Sequence, residues 1–93
     1  MTETTGNAPK DCPDGLVCFY EDPEYTKLVR AEKPVVGNCV TLSAFTSVFN
    51  HSKETITVFD SDKGCWGDEK TVNANSGVSK LSFKSYSYKV QDD

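Results

Sequence analysis

Between Thr55 and Gly67 the chain reads Thr-Ile-Thr-Val-Phe-Asp-Ser-Asp-Lys-Gly-Cys-Trp-Gly. β-Branched and aromatic residues alternate through Phe59, then a turn rich in Asp, Ser and Gly delivers Cys65. That pattern is a strand running into a tight connection that a cysteine can clamp. The unit also occurs 39 positions earlier, where Val17 stands for Ile56, Tyr20 for Phe59 and Glu21 for Asp60. At the same offset Leu42-Ser43 falls on Leu81-Ser82, Thr46 on Ser85 and Phe49 on Tyr88. Few of these pairs are identities, but their order is kept, as in a duplication that preserves core and turn positions and lets the rest drift. The chain is therefore expected to hold two copies of one β unit.

A chain of 93 residues makes one domain with a modest core, a size at which covalent staples help. Residues 1–11 carry no apolar pattern and are expected to be a flexible N-terminal segment, with one domain over 12–93. The net charge of −4, with ten scattered basic residues, excludes the clustered Lys and Arg of a nucleic-acid binder. No apolar run is long enough for a membrane span, and the first residues lack the basic start and apolar middle of a signal peptide. They look like a mature end with an added or retained Met, and a monomer is expected.

Cys12, Cys18, Cys39 and Cys65 are an even set in a short polar chain, which favours disulfides and a secreted, oxidising setting. Zinc is the competing reading, but no Cys-x-x-Cys pair is present and the one histidine, His51, sits in a polar stretch expected to be a surface loop. Of three connectivities, Cys12–Cys18 with Cys39–Cys65 fits best. Cys12-Pro-Asp-Gly15 turns the chain back toward Cys18, and Cys39 and Cys65 lie in opposite copies.

Leu16 to Tyr20, Tyr25 to Val29, Thr46 to Asn50, Thr55 to Phe59 and Lys84 to Val90 are the surest strands. They are separated by turns such as Glu21-Asp-Pro-Glu24, Gly37-Asn38 and Asn73-Ala-Asn-Ser-Gly77. Short strands spaced by Gly, Pro and Asx turns imply an all-β sandwich built from Greek keys.

Cys12-Pro-Asp-Gly-Leu-Val-Cys-Phe-Tyr-Glu-Asp-Pro-Glu-Tyr25, Cys39-Val-Thr-Leu42, Thr46-Ser-Val-Phe-Asn50 and Thr57-Val-Phe-Asp60 with Cys65-Trp-Gly67 resemble the βγ-crystallin superfamily. Within it they are most similar to the small secreted metalloproteinase inhibitors of actinomycete type. The resemblance implies a sandwich of two Greek keys, no catalytic site and, in some members, calcium or a bound peptidase. This chain departs from the superfamily pattern in three ways, one being that the second hairpin, with Phe59 followed by Gly64-Cys-Trp-Gly67, looks one residue longer. The Gly of the aromatic hairpin is Lys27, which puts its left-handed turn in doubt. The leading Asn or Asp residues of the calcium loops are replaced by Leu42-Ser43 ahead of Thr46-Ser47, and by Leu81-Ser82 ahead of Ser85-Tyr86.

Without those leaders no cofactor is expected; weak calcium binding is left to Asp60, Asp62 and Asp68. Glycosidase chemistry needs two carboxylates across a cleft, and Ser/His chemistry would depend on His51 alone, so no enzyme is expected. Trp66 is either a plug over the disulfide or an anchor in a partner's pocket, where Trp is enriched. Asn50-His-Ser52 also fits the glycosylation sequon. Two functions remain in view. One is an inhibitor that offers Ser61, Asp62, Lys63, Gly64 and Trp66 as a rigid loop to an extracellular zinc endopeptidase. The other is a killer-toxin-like or antifungal module that stacks cell-wall carbohydrate on Trp66, Tyr86 and Tyr88, or else a degenerate calcium-binding crystallin domain.

Overall fold

A computed structural model describes residues 3–5 and 7–91. Met1, Thr2, Gly6, Asp92 and Asp93, and with them the expected start of the mature chain, lie outside the described residues. Nine strands run β1 (Glu3–Thr5), β2 (Val17–Asp22), β3 (Thr26–Glu32), β4 (Cys39–Phe45), β5 (Ser47–Asn50), β6 (Ile56–Phe59), β7 (Glu69–Val72), β8 (Ser76–Val78) and β9 (Ser85–Val90). They form two antiparallel sheets, ordered β1-β8-β5-β2-β3 and β4-β9-β6-β7. The all-β sandwich expected from the sequence is the observed one.

The two copies are visible in the topology. Strands β2, β3 and β5 share one sheet and send β4 to the other; β6, β7 and β9 share the second sheet and send β8 back. Each Greek key therefore completes its partner's sheet, so neither copy can close a core alone. Strand register also refines the repeat. Tyr20 pairs with Ser47 and Phe59 pairs with Ser87, so an offset of 39 over the first strand becomes 40 over the last. Val48, not Phe49, is the counterpart of Tyr88. The difference of one residue is decisive because it exchanges the two faces of a strand.

Alternation places Val17, Phe19, Val48, Ile56, Val58, Val78, Tyr88 and Val90 between the sheets with Phe45, Val72 and Leu81. Burying a side chain of that size is worth about 1.5–3 kcal/mol each, so this layer is the main source of stability. Phe19 packs edge-on to Phe45 at 4.8 Å and tilts against Tyr88 at 4.7 Å. The other face of β2 and β5 carries Cys18, Tyr20 and Phe49, and a second cluster covers them with Cys12, Ala8, Leu16 and Tyr25. Part of the segment left outside the domain by its composition thus takes part in the fold. β1 pairs with β8, Ala8 packs in the second cluster, and Asp11 accepts a 2.7 Å hydrogen bond from the Tyr20 hydroxyl.

One strand defeats its sequence signal. Asn73-Ala-Asn-Ser-Gly77 reads as a turn, yet Ser76–Val78 is β8. A Cβ on Gly77 would lie 2.4 Å from the Phe49 ring and 2.6 Å from the Tyr25 hydroxyl, so glycine is there to let two aromatics close over the strand.

Candidate functional site

The connection between β6 and β7 leaves the sheet at Asp60 and returns at Asp68. Its neck is closed by main-chain and side-chain bonds: Asp60 N–H donates to Asp68 O at 3.0 Å, and Asp68 N–H donates to Asp60 Oδ1 at 3.1 Å. Gly67 makes this possible with φ of 96°, and a Cβ there would stand 2.0 Å from Asp60 Oδ1. From that neck the loop folds over the outer face of the four-stranded sheet. Cys65 bonds Cys39 on β4, with Cα atoms 6.0 Å apart, and the Ser87 hydroxyl on β9 lies 2.9 Å from both Ser61 O and Gly64 O. Ser87 is completely buried, so a single hydroxyl serves two loop carbonyls from beneath.

What this scaffold presents is set by alternation within the loop. Gly64 is buried, and the Trp66 ring lies against it, since a Cβ on Gly64 would meet the indole at 2.2 Å. Trp66 itself is 58% exposed, the most exposed large apolar residue among those described. Asp62 and Lys63 are exposed beside it, while the Ser61 hydroxyl accepts from Lys63 N–H at 3.1 Å and tightens the tip. The residues singled out from the sequence, Ser61, Asp62, Lys63, Gly64 and Trp66, thus lie on one braced loop with a charged tip and an exposed indole.

Both expected disulfides are present: Cys12–Cys18 and Cys39–Cys65. The first holds the N-terminal segment against the five-stranded sheet, where His51 adds to the clamp. Its Nδ1 lies 2.9 Å from Cys12 O, its ring meets Phe49 edge-on, and Nε2 is 3.4 Å from Asp14 Oδ1. His51 is therefore a half-buried brace and not the solvated loop residue its polar neighbours suggested. Asn50 is also a correction. It is fully buried; its amide faces the Glu54, Val72 and Asn73 carbonyls, and its Oδ1 accepts from Ser52 N–H and the Ser52 hydroxyl. The sequon is spent on a turn and offers no acceptor for a glycan in the folded chain.

A stacking platform of Trp66, Tyr86 and Tyr88 is not formed. Tyr88 is 1% exposed in the inter-sheet layer, with its hydroxyl donating to Glu32 at the edge. Burial first, and then the Glu32 carboxylate, push the Tyr88 phenol well above its ordinary pKa. The calcium-loop positions are similarly committed. Leu42 and Leu81 pack on the core, and the Thr46 and Ser47 hydroxyls donate to Glu21 O at 2.6 Å and Asp22 O at 2.7 Å. Asp60 is used at the loop neck, and no three His, Cys, Asp or Glu side chains converge as metal ligands among the described residues.

The family profile described as peptidase inhibitor family I36 matches residues 5–69. The match runs from β1 through the braced loop to the start of β7. No curated protein and no solved structure gives a significant match.

Proposed function

The chain belongs to peptidase inhibitor family I36, and from that premise we propose that it is a secreted inhibitor of a zinc endopeptidase, docking through the loop Ser61–Trp66. Membership implies a peptidase as partner and a binding role in place of catalysis. The two disulfides accord with life outside the cell. We also propose that the chain is a member of the βγ-crystallin superfamily, a reading that the exchange of β4 and β8 between the Greek keys supports.

The observation that carries the proposal is the bracing of an exposed loop on three sides: the Cys39–Cys65 bond, the Ser87 hydroxyl and the Asp60–Asp68 neck. A peptide that binds in an active-site cleft loses conformational entropy; a loop already held in one shape loses little, and the difference appears as affinity. Trp66 supplies a large, rigid side chain for a pocket and Lys63 a charge at the tip. No metal or cofactor is needed by the inhibitor for this action.

The test is a titration against a thermolysin-type zinc endopeptidase, with insoluble chitin in parallel. Stoichiometric inhibition that Lys63→Ala or Trp66→Ala weakens is the expected result. Retention on chitin without inhibition would contradict it.

A further inference from the structure

Beside the loop, the outer face of the four-stranded sheet holds a shallow groove of ≈ 360 Å³ lined by Thr57, Phe59, Glu69, Lys89 and Gln91. Its place in the duplication tells what such a surface receives. With offsets of 39 on the first strand and 40 on the last, Thr57, Phe59, Lys89 and Gln91 occupy the positions of Cys18, Tyr20, Phe49 and His51. On the five-stranded sheet that surface is covered by a segment of chain, with Ala8, Cys12 and Leu16 set on it and Tyr25 folded over Tyr20 and Phe49. The loop covers Ser87 but leaves Lys89 and Gln91 exposed.

We propose that this groove is the seat for an extended surface segment of the peptidase that the loop engages, so that the partner supplies in trans what residues 8–16 supply in cis on the opposite sheet. The inference rests on the reading of the chain as a peptidase inhibitor. Continuity supports it, because Phe59 and Glu69 are the strand ends from which the loop departs. Area supports it as well. A stable complex buries roughly 800 Å² per partner over about 20–30 residues, which six loop residues with Gly64 buried do not supply. The lining is of the right kind: an aromatic floor with a rim of Lys89, Glu69 and Gln91 suits a reversible interface, whereas the covered face has Phe49 and His51 in the places of Lys89 and Gln91.

Two groove variants and one control test this. Thr57→Tyr places a ring in the groove, Lys89→Glu reverses its rim, and Lys53→Glu makes the same charge change at an exposed turn elsewhere. Inhibition constants are measured against the zinc endopeptidase alongside melting temperatures, and lysine acetylation is mapped with and without the enzyme. Both groove variants should raise the inhibition constant at least about tenfold, about 1.4 kcal/mol, with the fold retained and Lys53→Glu unchanged. Lys89 should be protected from acetylation only in the complex. Should Thr57→Tyr fail to fold, Lys89→Glu and the acetylation map carry the test. Full inhibition by Lys89→Glu with Lys89 still reactive in the complex would overturn the seat and leave the inhibitor reading intact. Protection of Lys89 in the free chain, by self-association, would overturn it in favour of a second copy. No inhibition by the unsubstituted chain would contradict the inhibitor reading itself, and with it the occupant named here.

Discussion

The two hairpins that cap the first strand pair of each Greek key stand in equivalent places and finish differently. In both, a buried serine of the last strand reaches the hairpin main chain. Ser47 donates to Asp22 O and accepts from Tyr25 N–H, and Ser87 sits under Ser61 O and Gly64 O. In both, a residue in the left-handed region turns the chain into the next strand: Lys27 with φ of 70° and Gly67 with φ of 96°. Lys27 thus keeps the turn that its lack of glycine put in doubt. Between latch and turn the copies diverge. The first inserts Tyr25, which packs edge-on to Tyr20 and Phe49, both at 5.8 Å. The second has Cys65 at that point, tied to Cys39, and the aromatic follows one residue later as exposed Trp66. A side-chain plug closes one hairpin into the core; a disulfide fixes the other while leaving its surface exposed.

If the disulfide replaces the plug, its loss should be the largest single effect. Replacing Cys39 and Cys65 with Ser opens a loop of 27 residues and should cost about 3.6 kcal/mol on the chain-entropy estimate. Replacing Cys12 and Cys18 opens 7 residues and should cost about 2.4 kcal/mol. Urea unfolding of the two double variants would give both numbers, and the reverse order would break the comparison.

A smaller effect separates the two turns. Gly67→Ala must hold a Cβ in the left-handed region and against Asp60 Oδ1, so a loss of about 2 kcal/mol is expected. Lys27→Gly should raise the melting temperature, because the ion pair it removes, with Glu21 at 3.1 Å, is exposed on both sides and worth little. The smallest effect concerns pH. Burial, first among the causes, raises the phenol pKa of Tyr20, Tyr25 and Tyr88. Above the ordinary value of 10.0 the unfolded chain releases these protons while the folded chain keeps them, so stability should fall as pH rises beyond about 10. Tyr25→Phe should blunt that fall in the plugged copy, measured as the urea midpoint at successive alkaline pH values.

The strands with alternating apolar residues were legible, as were the cysteine pairs, because alternation and turn residues act locally. What was not legible depends on contacts between segments far apart in the chain. Gly77 sits in a strand because Phe49 and Tyr25 close on it, Asn50 is consumed by the distant Val72 and Asn73 carbonyls as well as the nearby Glu54 one, and His51 braces a segment 39 residues away in sequence. The offset of 40 in the last strand is of the same kind, since only the pairing with β2 and β6 reveals it. The loop Ser61–Trp66 could be picked out from its cysteine and turn residues, but Ser87, which holds it from below, carries no signal in a run of alternating Ser and aromatic residues.

The most direct measurement is an alanine comparison of the two hairpins in one inhibition assay. Trp66→Ala should raise the inhibition constant about 30-fold, the equivalent of about 2 kcal/mol for an anchoring Trp, with Lys63→Ala weaker in the same direction. Glu24→Ala and Lys27→Ala, at the plugged hairpin, should leave inhibition within about twofold, since surface changes away from a contact shift free energies by no more than about 0.5 kcal/mol. Loss of inhibition in the Glu24 or Lys27 variants, with Trp66→Ala unchanged, would contradict the account.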